Sequence, residues 1–491
     1  MSAPALGALF DPEGVIVAGA SSHPGKFGFV VLHNILRYGY RGRVFATNVD
    51  GGTILDVPAH PSVECIPSGA ADLVFVCTPV PVNAQLLRDC AARGVRAAFV
   101  MTGGYAELGE DGRRAQDELV AAAAESGIAL AGPNGQGIVS TPSSLCAQMV
   151  APYPPAGRIG IASQSGNIVS SLENLAIRSG IGVSRAVSAG NAAVVGIGDY
   201  LEYFASDDAT DVSVAYVEDV RDGRALFEAL RRAARQQPIV MVRGGATAGG
   251  RRAAASHTGA LASDHRVFAG MCRQAGVNLA TTVEEAFDAA ATFATQPLPR
   301  GPRVAVLTTA GGWGVLTADA LARSDLELLT LPSDLRDAID GLLPPRWSRQ
   351  NPIDLAAAET RDTIPEVLRL LGGHQDVDAV LFLGSGVQSN EARAMRSGRF
   401  AQGYDLERIA SFHERQDERY AEVAAEVSET SGKPILVATE LAVTDPDNPG
   451  PRTVRETGRL CYASAHRAVA ALEHLWRRAR FLQRREQERE A

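Results

Sequence analysis

The segment around His257 carries the residue types best suited to covalent chemistry. His257 lies among small residues in AAASHTGALAS, directly after the glycine-rich basic stretch RGGATAGGRR. This composition predicts an exposed loop rather than a core position, and an exposed imidazole is a nucleophile that can accept a phosphoryl group. A lone histidine is more often structural, and the other eight are interpreted that way. For His257 we predict phosphorylation.

A phosphohistidine needs a carboxylate to fix its second ring nitrogen and a helix N-terminus to face its negative charge. Glu218 follows the strand-like run SVAYV and is the candidate carboxylate, with a simple cap or ion-pair role as the alternative. The turn SQSGN follows another strand-like run and opens a helical pattern. Its amides and hydroxyls suit a phosphate, against ordinary serine N-capping. The residues predicted in this turn are Ser163, Gln164, Ser165 and Gly166.

A second phosphate-binding turn, GASSHPGKFG, follows the first strand-like run of the chain. Glycines there allow close backbone approach to a ligand, and the following helix offers unpaired N–H groups. The spacing is not G-x-G-x-x-G, and FATNVDGG places Asn48 where a nicotinamide dinucleotide site needs an acidic residue, which weakens that alternative. The candidate residues of the turn are Gly19, Ala20, Ser21, Ser22, Gly25, Lys26 and Gly28, with His23 as a further phosphate contact.

Alternating strand-like and helical patterns must position these residues. At 491 residues the chain suggests about three domains at roughly 150 residues each. Short apolar runs separated by amphipathic segments predict parallel sheets covered by helices, and proline-rich joins at Ala151–Gly157 and Thr295–Pro302 divide the chain. The predicted domains are 1–150, 157–296 and 301–475, followed by a charged helical tail at 476–491. Similar strand, turn and helix layouts in the second and third blocks suggest a structural repeat.

The overall composition excludes several function classes. Hydrophobic residues make up 46% of the chain, and the net charge of −9 argues against nucleic acid as a partner. No apolar run reaches the ~20 residues that cross a bilayer, and the N-terminus lacks a secretory pattern. The six cysteines show no metal-type spacing. We therefore expect a cytoplasmic globular protein with reduced thiols, no bound metal and no membrane contact.

Several motifs together resemble the CoA-ligase superfamily over residues 8 to 440, and specifically the alpha part of ADP-forming acetyl-CoA synthetases. The succinyl-CoA synthetase alpha subunit is a more distant relative. Each motif is modest, but their order and spacing are specific. They are VIVAGASSHPGKFG, TGGYAELG, AGPNGQGI, IASQSGN, SAGN, YVEDVRDGR, AAASHTGALA, TTAGGWGVL and NPIDL.

The resemblance implies an α/β protein with a Rossmann-like CoA-binding domain followed by two flavodoxin-like ligase domains. His257 aligns with the phosphorylated histidine of the family and Glu218 with its supporting glutamate. Asn191 in SAGN joins the phosphate-binding set. The CoA-binding set extends beyond the glycine turn to Asn48, Thr78, Pro79, Thr102, Gly103 and Asn134.

The implied reaction is that of an acid–thiol ligase with three reversible steps. Acyl-CoA and phosphate give acyl phosphate and CoA, His257 takes the phosphoryl group, and phosphohistidine passes it to ADP. In the family, ADP and Mg²⁺ bind to an ATP-grasp domain for which this chain has no room. The resemblance therefore implies a separate ATP-grasp beta subunit in an α2β2 or other hetero-oligomer.

Three positions depart from the family pattern. Gly135 follows Asn134 where the family has cysteine, Arg243 stands where lysine is common, and Ala246 stands where an arginine often lies. These departures leave the choice of acid and the handling of phosphate open.

Two rival functions fit parts of the sequence. A non-catalytic regulator that binds CoA or acyl-CoA would fit the altered loop residues, but it has no need for His257 and Glu218. An NAD(P)-dependent oxidoreductase would fit the first domain alone. The sequence does not identify the carboxylic acid or distinguish ADP from GDP.

Overall fold

The protein is represented by a computed structural model that describes residues 3–149, 152–250, 252, 264–355, 362–402 and 404–490. The chain divides into two compact units. One comprises residues 1–178 and 182–287, and the other comprises 179–181 and 288–491. In the described residues, none of the helices combines the length and apolarity needed to cross a membrane.

The first sheet has the strand order β3-β4-β2-β1-β5-β6-β7 and is parallel except at β3. Order reverses between β1 and β5, which defines the crevice where Rossmann-like sheets bind ligands. Its strands are β1 (Gly14–Ala18), β2 (Arg43–Thr47), β3 (Thr53–Ile54), β4 (Val57–His60), β5 (Leu73–Val76), β6 (Ala97–Val100) and β7 (Ala129–Ala131). The helices of this block are α1 (Ala3–Phe10), α2 (Phe27–Arg37), α3 (Val80–Ala92) and α4 (Glu110–Ser126).

Burial explains why these elements form. Every residue of β1 is buried, as expected for a central parallel strand covered on both faces. Helix α2 buries Val31, Leu32 and Ile35, which recur at helical spacing on one face. Each such fully buried side chain contributes about 1.5–3 kcal/mol. The apolar periodicity thus holds the helix, and the glycine turn before it, against the sheet.

The second sheet has the order β14-β13-β12-β10-β11-β8-β9. The five strands β10 to β14 run parallel in a flavodoxin-like order, and the hairpin β8–β9 adds antiparallel to β11. The strands are β8 (Gly137–Ser140), β9 (Leu145–Gln148), β10 (Ala156–Ser163), β11 (Val183–Ser188), β12 (Val212–Val217), β13 (Ile239–Arg243) and β14 (Asn278–Ala280). The accompanying helices are α5 (Gly166–Ser179), α6 (Ile197–Ala205), α7 (Gly223–Ala233), α8 (His265–Ala275) and α9 (Val283–Thr295).

The hairpin β8–β9 belongs to the predicted first domain by sequence but to the second sheet by strand pairing. It lies within the range 1–150 predicted for the first domain, yet it hydrogen-bonds to the second sheet. The chain therefore enters the second sheet before the proline-rich join. Proline composition marks where regular structure stops, but strand pairing decides to which sheet a segment belongs.

The third sheet repeats the flavodoxin-like order as β16-β15-β18-β19-β20, with β17 also beside β15. The α/β fold class with one Rossmann-like and two flavodoxin-like sheets is confirmed. The strands are β15 (Arg303–Thr308), β16 (Glu327–Leu328), β17 (Ile353–Asp354), β18 (Ala379–Leu383), β19 (Ile435–Ala438) and β20 (Cys461–Tyr462). The helices are α10 (Gly311–Leu321), α11 (Ser333–Asp340), α12 (Thr363–Gly373), α13 (Val387–Ser397), α14 (Leu406–Ser431), α15 (Leu441–Thr444), α16 (Pro449–Glu456) and α17 (Ala465–Glu490).

Candidate active site

The glycine turn between β1 and α2 is packed too tightly for side chains at its ends. Gly19 has φ +81°, and a Cβ there would lie 3.0 Å from the carbonyl carbon of Cys77 and from Cγ2 of Thr78. A Cβ on Gly28 would lie 2.1 Å from the carbonyl oxygen of Gly19. Both glycines are therefore required for α2 to begin directly against the turn, as expected of a phosphate-binding turn.

The N-terminus of α2 is suited to an anion. Lys26 occupies the N-cap position, and because an ammonium group cannot accept a hydrogen bond, its side chain leaves the first-turn amides of α2 to other partners. Ser21 Oγ accepts a hydrogen bond from the His23 amide, and His23 Nδ1 accepts one from the Gly25 amide. Ser22, His23, Gly25 and Lys26 are exposed. The geometry is that of an anion-binding turn.

The other residues predicted for CoA lie at the carboxyl ends of neighbouring strands. Asn48 Nδ2 donates to the Ala20 carbonyl at 2.8 Å and joins the loops after β1 and β2. Thr102 Oγ1 donates to the Thr78 carbonyl at 2.9 Å and joins the loops after β5 and β6. Pro79 is the N-cap residue of α3. The structure thus gathers this set around the point where strand order reverses.

A cavity of about 250 Å³ lies where loops of the first and second sheets meet. Its lining combines residues predicted for CoA, phosphate and phosphohistidine. The predicted residues that line it are Asn134, Gln164, Ser165, Gly166, Asn191 and Glu218. Gly103 lies beside it, because a Cβ there would lie 3.0 Å from Asn134 Oδ1. Ser163 is fully buried and does not line it; its hydroxyl donates to the Ser165 carbonyl.

Gln164 positions the loop that carries Glu218. Its Oε1 accepts hydrogen bonds from the amides of Glu218 (2.6 Å) and Asp219 (3.0 Å), and its Nε2 donates to the Asp219 carbonyl at 3.1 Å. The Gln164 side chain, predicted to bind phosphate, therefore acts on the protein backbone. These hydrogen bonds fix the position of the Glu218 backbone relative to the turn that begins α5.

Glu218 follows β12 and is supported by a phenol and a glycine. Burial, followed by the charge and hydrogen bond of Glu218, raises the pKa of Tyr216 well above its usual range, so Tyr216 stays a protonated donor. A Cβ on Gly244 would lie 2.7 Å from the Tyr216 hydroxyl and 3.2 Å from Glu218 Cγ. Gly244 leaves the room that the Tyr216–Glu218 pair occupies.

The predicted nucleophile, His257, lies outside the described residues. The strand before it, β13, ends at Arg243 and pairs with β12, which ends just before Glu218. After Arg243 the chain therefore leaves the second sheet at the edge that carries the candidate carboxylate.

Glu107 is a functional candidate that was not predicted from the sequence. Its Oε1 accepts hydrogen bonds from the amides of Gly104 (2.6 Å) and Tyr105 (3.1 Å), and its Oε2 accepts from Asn191 Nδ2 at 2.6 Å. Burial acts to raise the pKa of Glu107, but these hydrogen bonds hold it below the usual range. The ionised carboxylate thus links the TGGYAELG loop of the first sheet to the SAGN loop of the second.

Gln136 and Arg221 were also missed. A Cβ on Gly166 would lie 2.0 Å from Cδ of Gln136, so the glycine lets α5 begin against that amide. Gln136 Oε1 is buried and has no hydrogen-bond partner among the described residues, which leaves it for a ligand of the cavity. Arg221 donates to the Asn191 carbonyl at 2.8 Å. The motif AGPNGQGI contains Gln136, but only the fold brings it beside Gly166.

The three residues that depart from the family pattern have different structural surroundings. A Cβ on Gly135 would lie 2.5 Å from the Ser188 carbonyl oxygen and 2.6 Å from Cζ of Phe99, so the cysteine of the family does not fit. The guanidinium carbon of Arg243 lies 4.3 Å from the ring centroid of Phe268, and burial lowers the pKa of Arg243. Ala246 is half-buried in the segment after β13.

Three protein families match consecutive parts of the chain. Residues 13–141 match a CoA binding domain, residues 156–293 match a succinyl-CoA ligase like flavodoxin domain, and residues 304–385 match a ligase-CoA domain. The order of these matches follows the order of the three sheets.

Two curated relatives extend the comparison. The chain is 35% identical over 373 residues to subunit alpha of acetate–CoA ligase [ADP-forming] II from Pyrococcus furiosus, covering 76% of this chain and 81% of that one. It is 34% identical over 356 residues to a trans-feruloyl-CoA synthase from an unknown prokaryotic organism, covering 71% of this chain and 50% of that one.

A solved structure matches almost the whole chain. The dinucleotide-forming acetyl-coenzyme A synthetase 1 of Ca. Korarchaeum cryptofilum, in complex with phosphate and ADP, aligns with a TM-score of 0.81 and 28% identity. The alignment covers 97% of each chain. The resemblance inferred from the motifs is confirmed.

Proposed function

This chain belongs to the ADP-forming acetate–CoA ligase family as a CoA-binding ligase subunit, and we propose that the residues around Glu218 carry out its reaction through a phosphohistidine at His257. The observation that carries the proposal is the cavity that gathers Glu218, the turn opening α5 and Asn134. In this cavity a carboxylate and a helix N-terminus face the same small space beside the CoA-binding loops. A phosphoryl group and a histidine that carries it need that combination.

In the first step, a phosphate oxygen attacks the thioester carbon of acyl-CoA. The C–S bond breaks, CoA leaves as its thiolate, and acyl phosphate remains. The glycine turn and Lys26 hold the phosphates of CoA, while the Ser165 hydroxyl and the Gly166 amide at the start of α5 hold the attacking phosphate. Asn134 and Gln136 line the same cavity and orient the reacting carbonyl.

In the second step, an imidazole nitrogen of His257 attacks the phosphorus of acyl phosphate. The P–O bond to the acyl group breaks and the carboxylate leaves. Glu218 accepts a hydrogen bond from the N–H of the other ring nitrogen, which fixes the tautomer needed for attack and stabilises the charged imidazole that forms. Tyr216 holds the carboxylate in place.

In the third step, phosphohistidine transfers its phosphoryl group to a nucleoside diphosphate. The related subunit of Pyrococcus furiosus is designated alpha, which supports a separate partner. We propose a beta subunit with an ATP-grasp domain that holds ADP and Mg²⁺, in an α2β2 or other hetero-oligomer. Among the described residues, no group of histidine, cysteine, aspartate and glutamate side chains could hold a metal ion.

The predicted ranges 1–150, 157–296 and 301–475 remain a proposal for the functional division of the chain into CoA-binding and two ligase domains. Residues 476–490 of the predicted tail form the end of α17, in which buried residues extend as far as Ala479. A cytoplasmic location also remains a prediction.

Phosphorylation of the intact chain tests the proposal. The protein is incubated with its beta partner, Mg²⁺ and ATP, and its intact mass is measured before and after mild acid treatment. We expect one added phosphate that is acid-labile, absent in His257→Ala, and reduced at least about 10-fold in rate in Glu218→Gln, because a hydrogen bond to a charged group contributes about 1.5–3 kcal/mol.

The matched control is His265→Ala, which removes another histidine close in sequence at the start of α8. It should leave the added mass unchanged. The His257→Ala chain without its partner should still bind CoA, as measured by calorimetry. Binding of CoA without phosphorylation in a complex whose partner binds ATP would support the regulator instead, and binding of NAD in place of CoA would support the oxidoreductase.

A further inference from the structure

A second, larger cavity lies beside the first, within the same compact unit. Its volume is about 390 Å³, within the usual range for small-molecule sites. The two cavities share Gln164, Asp219 and Arg221 in their walls. We call the larger one the side chamber. It lies between the loop that follows Asn191 and the helices α6 and α7.

Part of the side-chamber wall is apolar. This part comes from the loop after β11, the start of α6, the end of β12 and α7. It includes Ala192, Ala193, Val194, Ile197, Val217 and Leu226. None of these side chains offers a hydrogen bond, so this part of the wall favours hydrocarbon over a polar ligand.

The carboxylates of the chamber wall are used by the protein. Asp199 accepts a hydrogen bond from the Gly196 amide at 2.9 Å, and Asp222 caps α7 by accepting from the Ala225 amide at 2.9 Å. Glu202 pairs with Arg232. Four carboxylates, Asp199, Glu202, Asp219 and Asp222, line the chamber, against the two cations Arg221 and Arg232. The excess of negative charge opposes a second carboxylate on a ligand.

Resting on the proposed function, we propose that the side chamber binds the side chain of the carboxylic acid, so that the substrate is a monocarboxylic acid with an extended apolar group. The acyl phosphate lies in the smaller cavity near Glu218, and its hydrocarbon passes Gln164 and Arg221 into the chamber. A methyl group would leave the chamber unused. Aliphatic and aryl groups share the required chemistry, and a dicarboxylic acid is disfavoured by the acidic wall.

A chamber-filling variant tests this assignment. Ala225 is exposed on the first turn of α7 and lines the chamber without touching the smaller cavity. Ala225→Phe adds a ring to the chamber, whereas the control Ala124→Phe adds the same ring to an exposed position on α4. Both are assayed as complexes with the beta partner, using acetate, butyrate, hexanoate, phenylacetate and succinate, with ATP-dependent phosphorylation measured in parallel.

For the wild type, we expect kcat/KM for hexanoate or phenylacetate to exceed that for acetate at least about 10-fold, since one well-placed methylene contributes about 10-fold or more. Succinate should be the poorest substrate. Ala225→Phe should lower kcat/KM for hexanoate or phenylacetate at least about 10-fold. Its acetate turnover and its phosphorylation should stay within about 2-fold of the wild-type values. Ala124→Phe should match the wild type with every acid. Whichever of hexanoate and phenylacetate has the higher kcat/KM relative to acetate shows whether the natural acid carries an aliphatic or an aryl group.

Two results would overturn the assignment. If acetate is the best substrate, or if Ala225→Phe lowers kcat/KM equally for every acid, the chamber does not hold the acyl group although the ligase function stands. If an ATP-binding complex phosphorylates no histidine and uses no acid, the proposed function fails and the assignment fails with it. The phosphorylation measurement separates these cases because it does not depend on the acid.

Discussion

At the scale of single residues, a carboxylate outside the predicted set connects the two halves of the site. Glu107 accepts two backbone hydrogen bonds on its own loop and one from Asn191, whose side chain also donates to Gln116 Oε1 at 3.0 Å. Because the carboxylate is ionised, these are charge-assisted hydrogen bonds, which are about twice as strong as neutral ones. Glu107 is a positioning residue: it holds Asn191 and, through it, one wall of the cavity.

We predict that Glu107→Gln lowers kcat/KM for acyl-CoA about 10- to 100-fold, because its amide presents a donor to Asn191 in place of an acceptor and charged hydrogen bonds contribute about 1.5–3 kcal/mol. The measurement is acyl phosphate formation from acyl-CoA and phosphate by the complex. Asn191→Ala should cause a similar loss, and the double variant should lose little more than either, since the two residues act as a pair. Additive losses would show that Glu107 does not act through Asn191.

At the scale of elements, the site depends on close approach between loops of two sheets. The loop after β7 passes between Phe99 on β6 and Ser188 on β11, and Gly135 provides the necessary space. A hydrogen bond from the Gln136 amide to Ser188 Oγ at 3.0 Å fixes this crossing. The two sheets thus meet at a residue where the family pattern has cysteine, and the absent side chain is replaced by the Phe99 ring.

We predict that Gly135→Cys destabilises the protein by about 1–3 kcal/mol, the usual cost of overpacking a filled site. The variant should unfold at a lower temperature in thermal denaturation followed by circular dichroism. Gly7→Ala is the matched control, because a Cβ there meets nothing within 4 Å and the residue lies in α1. That control should be neutral or slightly stabilising. A Gly135→Cys variant as stable as wild type would mean that Phe99 repacks freely.

At the scale of the whole molecule, a buried arginine joins the N-terminal segment to the second sheet. Arg185 on β11 pairs with Asp11 and Asp207, and it donates to Ser140 of β8. Burial acts to raise the pKa of Asp207, but the hydrogen bond and charge of Arg185 hold it below the usual range. The segment before β1 is thereby tied to the sheet that carries Glu218, so both belong to one compact unit.

We predict that Arg185→Met lowers the free energy of unfolding by about 3–5 kcal/mol, because it leaves a buried carboxylate without its cation. The lowered pKa of Asp207 means that the stabilisation is fully present above the ordinary aspartate pKa of about 3.9 and is lost as pH falls through the lower folded value. Urea unfolding from pH 7 down to pH 3 should show the beginning of this loss in the wild type.

The control for this prediction is Arg158→Met, which breaks the half-exposed Arg158–Asp211 pair. Exposed pairs contribute about 0–1 kcal/mol, so its urea midpoint should barely move. Equal effects of the two substitutions would show that burial of Arg185 has no energetic consequence.

The sequence by itself determined the α/β class, the strands that carry the two glycine turns, and the order of family motifs along the chain. These features follow from local apolar periodicity and from glycines required where backbones approach closely, as at Gly19 and Gly28. It also placed Glu218 directly after a buried strand. Such features are encoded within about ten residues, so a single sequence is enough to recognise them.

Only the tertiary structure decided which distant residues meet. Three contacts illustrate this: β8–β9 pairs with the second sheet, Glu107 binds Asn191, and Gln164 binds the backbone of Glu218. In most cases they join residues 50 or more positions apart. The apolar part of the side-chamber wall likewise comes from four separate segments of the chain. No local pattern specifies such contacts, because they arise from the packing of whole sheets and loops rather than from the propensity of any one segment.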